Sequence, residues 1–193
     1  MSFSLHTFIS QLNGINGTWI ANTYVRASPN VRNAPKRTVI SFNNGGSWEL
    51  VTPPDYYKNG TPVNCQPPLC SLHFHMDTTS YSRLGVYSLD TAPGIILAHG
   101  TIGGQLSINP DLFISRDGGN TWNQTLEGSW GVSVLDQGGL MVAAQDYHQN
   151  PSTELMYSCD EGMTWTSYRF KPSGNMTVFG VLTEPGEFTT TVR

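Results

Sequence analysis

An eight-residue pattern that occurs three times constrains this chain more than any other feature of its sequence. It reads Ser-x-Asp-x-Gly-x-Thr-Trp in residues 115–122 and 158–165, and residues 41–48 repeat it with Asn for Asp and Ser for Thr. We call these segments box 1 (41–48), box 2 (115–122) and box 3 (158–165). Each box follows a short apolar run and leads into a second strand-like run that begins at its Trp. Repetition of this kind predicts an array of similar structural units.

The residue types in the boxes are those of a tight turn between two strands. A short Asp or Asn side chain accepts hydrogen bonds from backbone N–H groups just ahead of it, and Gly adopts a positive φ without steric cost. The Trp carries a large apolar surface into the space between packed sheets. This is the Asp box of propeller blades, and we interpret its residues as structural, not catalytic. They are Ser41, Asn43, Gly45, Trp48, Ser115, Asp117, Gly119, Trp122, Ser158, Asp160, Gly162 and Trp165.

The spacing of the boxes predicts an all-β fold: a β-propeller fragment of about three complete four-stranded blades plus part of another. A composition rich in Gly, Pro and aromatic residues, with only 12% charged residues, suits such a turn-rich fold. Residues 77–91 have the character of a polar connection. Because about three and a half blades cannot close a ring, we expect the chain to be part of one larger propeller domain. Its predicted units are 5–52, 70–127 with a preceding inserted loop 53–69, 130–171 and an incomplete 176–193.

Charge and hydropathy exclude several classes of partner. The net charge is −4 and no basic run occurs, so no nucleic-acid partner is expected. No apolar stretch is long enough to span a bilayer, so this segment is not expected to insert directly into a membrane. No pattern for a cofactor is evident, and we predict none.

Segments outside the boxes resemble the lumenal domain of the sortilin family, the receptors defined by the vacuolar-protein-sorting-ten domain. The resemblance is carried by Cys70-Ser71-Leu72-His73 after a second nearby Cys, by residues 94–103 (GIILAHGTIG) and by residues 182–186 (LTEPG). The boxes are in register with these segments. The resemblance covers nearly the whole chain and implies a run of blades from a ten-bladed propeller, with a membrane anchor located outside this segment.

The function implied by the resemblance is that of a ligand-binding module on the lumenal or extracellular side of a Golgi, endosome or plasma-membrane receptor. Such a receptor binds protein or peptide cargo and directs its intracellular trafficking without catalysis. Two alternatives stay open: a sialidase-like glycoside hydrolase that shares the boxes, and a purely structural propeller. The hydrolase needs clustered Arg residues and a Tyr/Glu or carboxylate pair, whereas the Arg residues here are scattered singly.

The cysteines are consistent with an oxidising compartment. Cys65 and Cys70 are close enough for a disulfide that pins the inserted loop, and the family resemblance supports that pairing. Metal binding by them is the weaker interpretation, because no second Cys pair exists. Cys159 is left over, either as a small buried residue or as the partner of a cysteine outside this segment.

Four Asn-x-Ser/Thr sequons predict glycosylation on exposed turns, at Asn16, Asn59, Asn123 and Asn175. Asn123 is the weakest of them, because a covered fourth strand after box 2 would hide it.

The histidines leave three interpretations open. His73 and His75 share a face if they lie on a strand, and with His99 they could supply three metal ligands. No orienting carboxylate is evident nearby, so a metal site is disfavoured. A pH-sensing role suits a receptor that releases cargo in acidic endosomes, but locally hydrogen-bonded histidines are the leading interpretation.

Overall fold

A computed structural model of the chain describes residues 8–25, 35–76, 85–145, 154–169 and 178. Within these ranges the chain is all-β, as predicted, and consists of antiparallel sheets and short turns without an α-helix. It divides into two compact units, residues 1–128 and residues 129–193. The strands are β1 (Phe8–Gln11), β2 (Trp19–Tyr24), β3 (Lys36–Ser41), β4 (Glu49–Leu50), β5 (Ser71–Phe74), β6 (Val86–Ser88), β7 (Ile96–Gly103), β8 (Asp111–Ser115), β9 (Asn123–Leu126), β10 (Trp130–Leu135), β11 (Leu140–Gln145), β12 (Glu154–Ser158) and β13 (Thr166–Arg169).

The first sheet of the first unit is the meander β1-β2-β3-β4. Strand β2 pairs with β3 along its whole length, with Ile20 opposite Ile40. Box 1 forms the turn that joins β3 to β4, where Val39 lies opposite Leu50. Strands that pair in the order in which they follow along the chain are the arrangement expected of a propeller blade.

The second sheet of this unit has the order β5-β7-β8-β9, and β6 also pairs with β7. Besides β8, the eight-residue β7 has two further partners, since β5 pairs with its residues 100–103 and β6 with its residues 96–98. The prediction of a purely polar connection over 77–91 was therefore wrong at β6. A three-residue strand with an exposed Tyr87 is too short to produce a recognisable alternation of apolar and polar residues.

The core of the first unit lies between its two sheets. Ile20 and Ile40 of the first sheet belong to the same buried cluster as Ile96 and Phe113 of the second. Box 2 closes this cluster on one side, because the Trp122 ring lies 4.5 Å from the Phe74 ring, centroid to centroid. The first two boxes therefore belong to sheets that share one core.

The second unit contains one sheet, β10-β11-β12-β13. A 3-10 turn at Asp136–Gly138 joins β10 to β11, and its Gln137 has a positive φ of 56°. Met141 and Ala143 of β11 are fully buried, and box 3 joins β12 to β13. The predicted incomplete unit 176–193 lies outside the described residues except for Val178. Among the described residues, no helix has the length and apolar character needed to cross a bilayer.

Candidate functional site

Box 2 is a turn held together by its own polar side chains. The Ser115 hydroxyl donates to Asp117 Oδ1 at 2.8 Å and accepts the Gly119 N–H at 2.8 Å. The Asp117 carboxylate in turn accepts the Thr121 N–H at 2.9 Å and the Thr121 hydroxyl at 2.7 Å. The carboxylate therefore serves as an acceptor for the backbone of its own turn, as Asp side chains do in Asx turns.

Box 3 has the same hydrogen bonds as box 2. Gly162 N–H donates to Ser158 Oγ at 2.8 Å, and Thr164 N–H donates to Asp160 Oδ1 at 2.9 Å. The Thr164 hydroxyl donates to the second carboxylate oxygen of Asp160.

Box 1 reaches the same geometry with an uncharged side chain. Asn43 Oδ1 accepts the Ser47 N–H at 2.8 Å, and Asn43 Nδ2 donates to the Ser47 hydroxyl at 2.9 Å. The polarity of the last hydrogen bond is thus reversed relative to boxes 2 and 3. Because the turn closes in either case, it depends on the acceptor oxygen and not on the negative charge.

In each box the Gly has a positive φ, and in boxes 1 and 2 the Trp indole donates a hydrogen bond within the turn. The values of φ at Gly45, Gly119 and Gly162 are 83°, 100° and 74°, in the left-handed region that favours Gly. The indole N–H of Trp48 donates to the Gly45 carbonyl at 3.1 Å, and that of Trp122 donates to the Gly119 carbonyl at 3.0 Å. Sequence reasoning did not predict this hydrogen bond from the Trp indole. The only sign of it was that Gly and Trp have the same spacing along the sequence in every box.

The hydrogen bonds of boxes 2 and 3 favour the ionised form of their Asp carboxylates. Burial alone would raise the pKa of Asp117, but the hydrogen bonds from Thr121 and Ser115 together lower it. The Thr164 hydroxyl and N–H, with Ser158, lower the pKa of Asp160 to about 2. A carboxylate that is ionised at neutral pH and engaged by two or three donors is a poor general acid.

Two of the three segments that carry the family resemblance, residues 70–73 and 94–103, contribute to neighbouring strands, β5 and β7. In the β5–β7 register His73 lies opposite Thr101 and Phe74 lies opposite Gly100. A Cβ at position 100 would lie 2.5 Å from the His73 carbonyl oxygen and 2.8 Å from the Phe74 ring. Only Gly fits at position 100, because any larger residue would displace the backbone of β5.

His73 is a buried crosslink between the two sheets of the first unit. Its Nδ1 accepts the Thr38 N–H of β3 at 3.1 Å, while its Nε2 lies 3.0 Å from the Gly103 carbonyl of β7. The neutral tautomer protonated at Nε2 satisfies both contacts. Burial, together with the nearby positive charge of Arg37 and despite the Gly103 hydrogen bond, lowers the pKa of His73 to about 4.

Two further polar side chains complete this crosslink, and sequence reasoning did not single them out. Asn22 Nδ2 donates to the Phe74 carbonyl at 2.9 Å, and Asn22 Oδ1 accepts the Thr38 hydroxyl at 2.7 Å. That hydroxyl accepts the Phe74 N–H at 2.7 Å. Buried polar groups that are fully hydrogen-bonded fix the alignment of the elements they join. A polar residue at an inward-facing strand position was the only signal for Asn22.

The other histidines do not join His73 in a metal site. His75 Nε2 lies 2.8 Å from the Ser107 carbonyl, and His99 lies on β7 with its carbonyl accepting the His75 N–H at 2.8 Å. Across the ranges that the structure describes, no three His, Cys, Asp or Glu side chains are grouped closely enough to hold a metal ion. Both ring nitrogens of His73 already have partners within the protein, which agrees with the interpretation of locally hydrogen-bonded histidines.

Comparison with known proteins identifies the family. The family model described as "Sortilin-Vps10: Sortilin, neurotensin receptor 3" matches residues 4–181. The chain belongs to the sortilin family.

Individual relatives agree with this assignment. The VPS10 domain-containing receptor SorCS2 of Homo sapiens is 36% identical over 94% of this chain and 15% of the receptor. SorCS1 of Homo sapiens is 41% identical over 91% of the chain and 15% of the receptor, and sortilin of Danio rerio is 37% identical over 78% of the chain and 19% of that protein. The chain thus spans less than a fifth of these relatives.

The names of the relatives also bear on whether the chain is part of an enzyme. SorCS1 and SorCS2 carry the names of receptors, and none of the three relatives carries the name of an enzyme. This agrees with the prediction that the chain is not an enzyme. A solved structure of an ancestral GH74 enzyme matches with a TM-score of 0.41 and 14% identity, over 87% of this chain and 20% of that one. This similarity is too weak to support an argument about function.

The inserted loop of this sortilin-family chain is closed by a disulfide. Cys65 and Cys70 are bonded, with their Cα atoms 5.2 Å apart, and Leu69 between them is 83% exposed. Cys159 is a free cysteine and is exposed. The interpretation of Cys159 as a small buried residue was therefore wrong: it lies in the solvent-facing part of box 3.

The sequons are accessible wherever the structure describes them. The side chains of Asn16, Asn59 and Asn123 are all exposed, whereas Asn175 lies outside the described residues. Strand β9 is covered from Gln124 onwards, but Asn123, its first residue, has its side chain in solvent, so coverage of the strand does not hide this Asn. Glycosylation of these residues stays a prediction.

Proposed function

We propose that this chain is part of the ligand-binding lumenal module of a sortilin-like sorting receptor, which binds protein or peptide cargo and directs its intracellular trafficking without catalysis. The observation that carries the proposal is the match to VPS10-domain receptors over most of the chain. Because the chain covers only a small part of those receptors, it contributes to the module and is not the whole of it.

The chemistry of the described residues favours a binding scaffold over an enzyme. The carboxylates of Asp117 and Asp160 are engaged by the backbone of their own turns, and His73 has both nitrogens occupied. These groups offer neither a nucleophile nor a proton donor to a substrate. We therefore propose that the twelve box residues act as structural Asp-box turns and not as ligand contacts.

Lumenal or extracellular placement is supported by two independent features. The Cys65–Cys70 disulfide is of a kind that persists in oxidising compartments. Three exposed sequons offer acceptor amides for an oligosaccharide, which is transferred in the same compartments. We propose a Golgi, endosome or plasma-membrane receptor on these grounds.

Quantitative proteomics of secreted proteins tests the sorting role. Cells that lack the gene are compared with the same cells carrying the complete gene product. The expected result is a defined set of proteins that are secreted more when the receptor is missing, together with direct binding of one of them to the purified lumenal module. An unchanged secretome, or hydrolysis of a sialoside by the purified module, would contradict the proposal.

A further inference from the structure

A cleft of about 360 Å³ separates the inserted loop from box 2. Pro53, Pro54 and Tyr56 line one side, and Thr121 and Asn123 line the other. Its volume falls in the range of about 300–1,000 Å³ found for small-molecule sites. A sequon Asn thus lies in the wall of a preformed cavity on the protein surface.

The walls of this cleft are fixed to each other. The backbone N–H of Lys58 donates to Gln124 Oε1 at 2.9 Å, and the Lys58 ammonium group donates to the Thr125 carbonyl of β9. Gln124 Nε2 donates to Asp111 Oδ2 at 2.8 Å, which ties the same contact to β8. Because these bonds link the inserted loop to two strands, the cleft does not depend on an occupant to hold it open.

We propose that the cleft seats the first N-acetylglucosamine residues of an N-linked glycan carried by Asn123. This inference rests on the proposed lumenal placement. In the modification, Asn123 Nδ2 displaces the diphosphate from C1 of the first sugar of a lipid-diphosphate oligosaccharide. The N–C1 bond forms, the C1–O bond breaks, and the amide loses one proton.

The cleft offers the surfaces that a pyranose ring needs. Tyr56 is 62% exposed, so its ring is open to the C–H face of a sugar. The Asp55 side chain, also exposed, lies beside it and can accept hydrogen bonds from sugar hydroxyls. Asn123 itself makes no side-chain hydrogen bond with the described residues, so its amide is available as the point of attachment.

Thr125, the third residue of this sequon, is only 3% exposed in the folded chain. The transferase must reach this hydroxyl, so the sugar is attached before β9 is covered. The glycan is therefore present while the inserted loop packs against β9, and the loop closes beside it.

Asn59, which lies on the inserted loop with Tyr56, provides the matched control. It is exposed, and its Oδ1 accepts the Thr61 N–H at 2.9 Å in a turn that leaves Nδ2 available. A Cβ at the adjacent Gly60 would find no atom within 4 Å, and Asn59 does not line the cleft. A glycan on Asn59 would extend into solvent.

The test uses the complete gene product secreted or displayed by a eukaryotic cell. Glycopeptide mass spectrometry measures occupancy of Asn59 and Asn123, and release by a peptide-N-glycosidase is timed without denaturation. We expect release from Asn123 to be at least about tenfold slower than release from Asn59, because the seated sugar must leave the cleft first. Tyr56→Ala should raise the rate at Asn123 towards that at Asn59, while Tyr56→Phe, which keeps the ring, should not.

The outcomes separate this inference from the proposed function. An occupied Asn59 with an unmodified Asn123 would overturn the inference and leave the lumenal placement standing. Equal release rates at the two residues would also overturn it, since they would show an Asn123 glycan free in solvent. Absence of sugar at every sequon would contradict the lumenal placement and the inference together.

Discussion

Boxes 1 and 2 form turns of the same geometry but differ in how much of the tryptophan they bury. In both, a hydroxyl and a side-chain oxygen close the loop and the indole N–H returns to the Gly carbonyl. Trp122 is only 2% exposed and packs on Phe74, whereas Trp48 is half-buried. The pattern in the sequence therefore determines the turn, while the neighbouring sheet determines how much the Trp contributes to the core.

The Gly of each box shows the same difference. A Cβ at Gly119 would lie 2.7 Å from Ile40 Cδ1 of the first sheet, whereas the nearest atoms to a Cβ at Gly45 belong to the ring of its own Trp48, at 3.5 Å. Box 2 is thus in contact with the adjacent sheet, and box 1 has no such neighbour at this position. Three pairs of variants sharpen this comparison, and a pH series with one further variant tests the joint between the two sheets.

Removing the indole should have the largest effect. Trp122→Ala should lower the free energy of unfolding by about 3–5 kcal/mol, as truncation of a buried aromatic side chain does. Trp48→Ala should lower it by only about 1–2 kcal/mol, because less apolar surface is buried there. Urea unfolding of both variants measures the difference. Equal losses would show that the turn, and not the packing, dominates the contribution of the Trp.

Replacing the box Gly by Ala should reveal the contact between box 2 and the neighbouring sheet. Gly119→Ala combines a positive φ with a close approach to Ile40, so we expect a loss of about 2–4 kcal/mol in unfolding free energy. Gly45→Ala carries mainly the backbone strain and should lose about 1–2 kcal/mol. If Ile40→Val in the Gly119→Ala background restores no stability, the proposed contact is not the cause.

The crosslink through His73 should make the joint between the two sheets sensitive to acid. The folded chain keeps this imidazole neutral down to a pKa of about 4, whereas in the unfolded chain it titrates near 6.5. Unfolded chains therefore bind the proton first, and the free energy of unfolding falls as the pH drops from about 6.5 to about 4, by on the order of 3 kcal/mol in total. Above this window the imidazole is neutral in both states, so its titration no longer changes the free energy of unfolding.

Urea unfolding at a series of pH values checks this prediction. His73→Gln removes the titrating group, so the variant should be less stable at neutral pH but should lose less stability on acidification than the parent chain. A variant with the same pH dependence as the parent would contradict the assignment. With its pKa lowered to about 4, the folded imidazole should stay neutral at mildly acidic pH, so we expect no change of charge at His73 in that range.

Exchanging the box residue that carries the charge should have the smallest effect. Asp117→Asn converts box 2 to the pattern of box 1, where Asn43 already accepts the backbone N–H, so we expect a change within about 1 kcal/mol. Asp117→Ala removes the acceptor and should lose about 1–3 kcal/mol by leaving turn donors unsatisfied. Thermal unfolding of the two variants measures both changes in stability. A large loss in the Asn variant would show that the charge itself holds the turn.

The elements that depend on local chemistry were predictable from the sequence. The boxes, their strands and the pairing of Cys65 with Cys70 each rest on residues a few positions apart, and periodicity or resemblance revealed them. The Asn22–Thr38–His73 crosslink was not predictable, because its partners come from different sheets and meet only through the fold. The short β6 was missed for a similar reason, since β7 and not its own sequence determines its pairing.

The cleft beside Asn123 could not be foreseen either. Its walls come from the inserted loop and from box 2, and the bonds of Lys58 that join them involve residues far apart in the chain. Sequence reasoning treated the sequon as a single triplet and ranked it the weakest of the four. Only the position of β9 at the border of its sheet shows that Asn123 itself is exposed.

The burial of Trp122 gives the protein a built-in optical probe. All five tryptophans lie in the described part of the chain, and Trp122 is the single buried one among them. Its indole sits in an apolar environment, so we expect it to emit at shorter wavelengths than the partly exposed Trp48, Trp130 and Trp165. Selective loss of this short-wavelength component reports the opening of the core between the first two sheets, without any label attached to the chain.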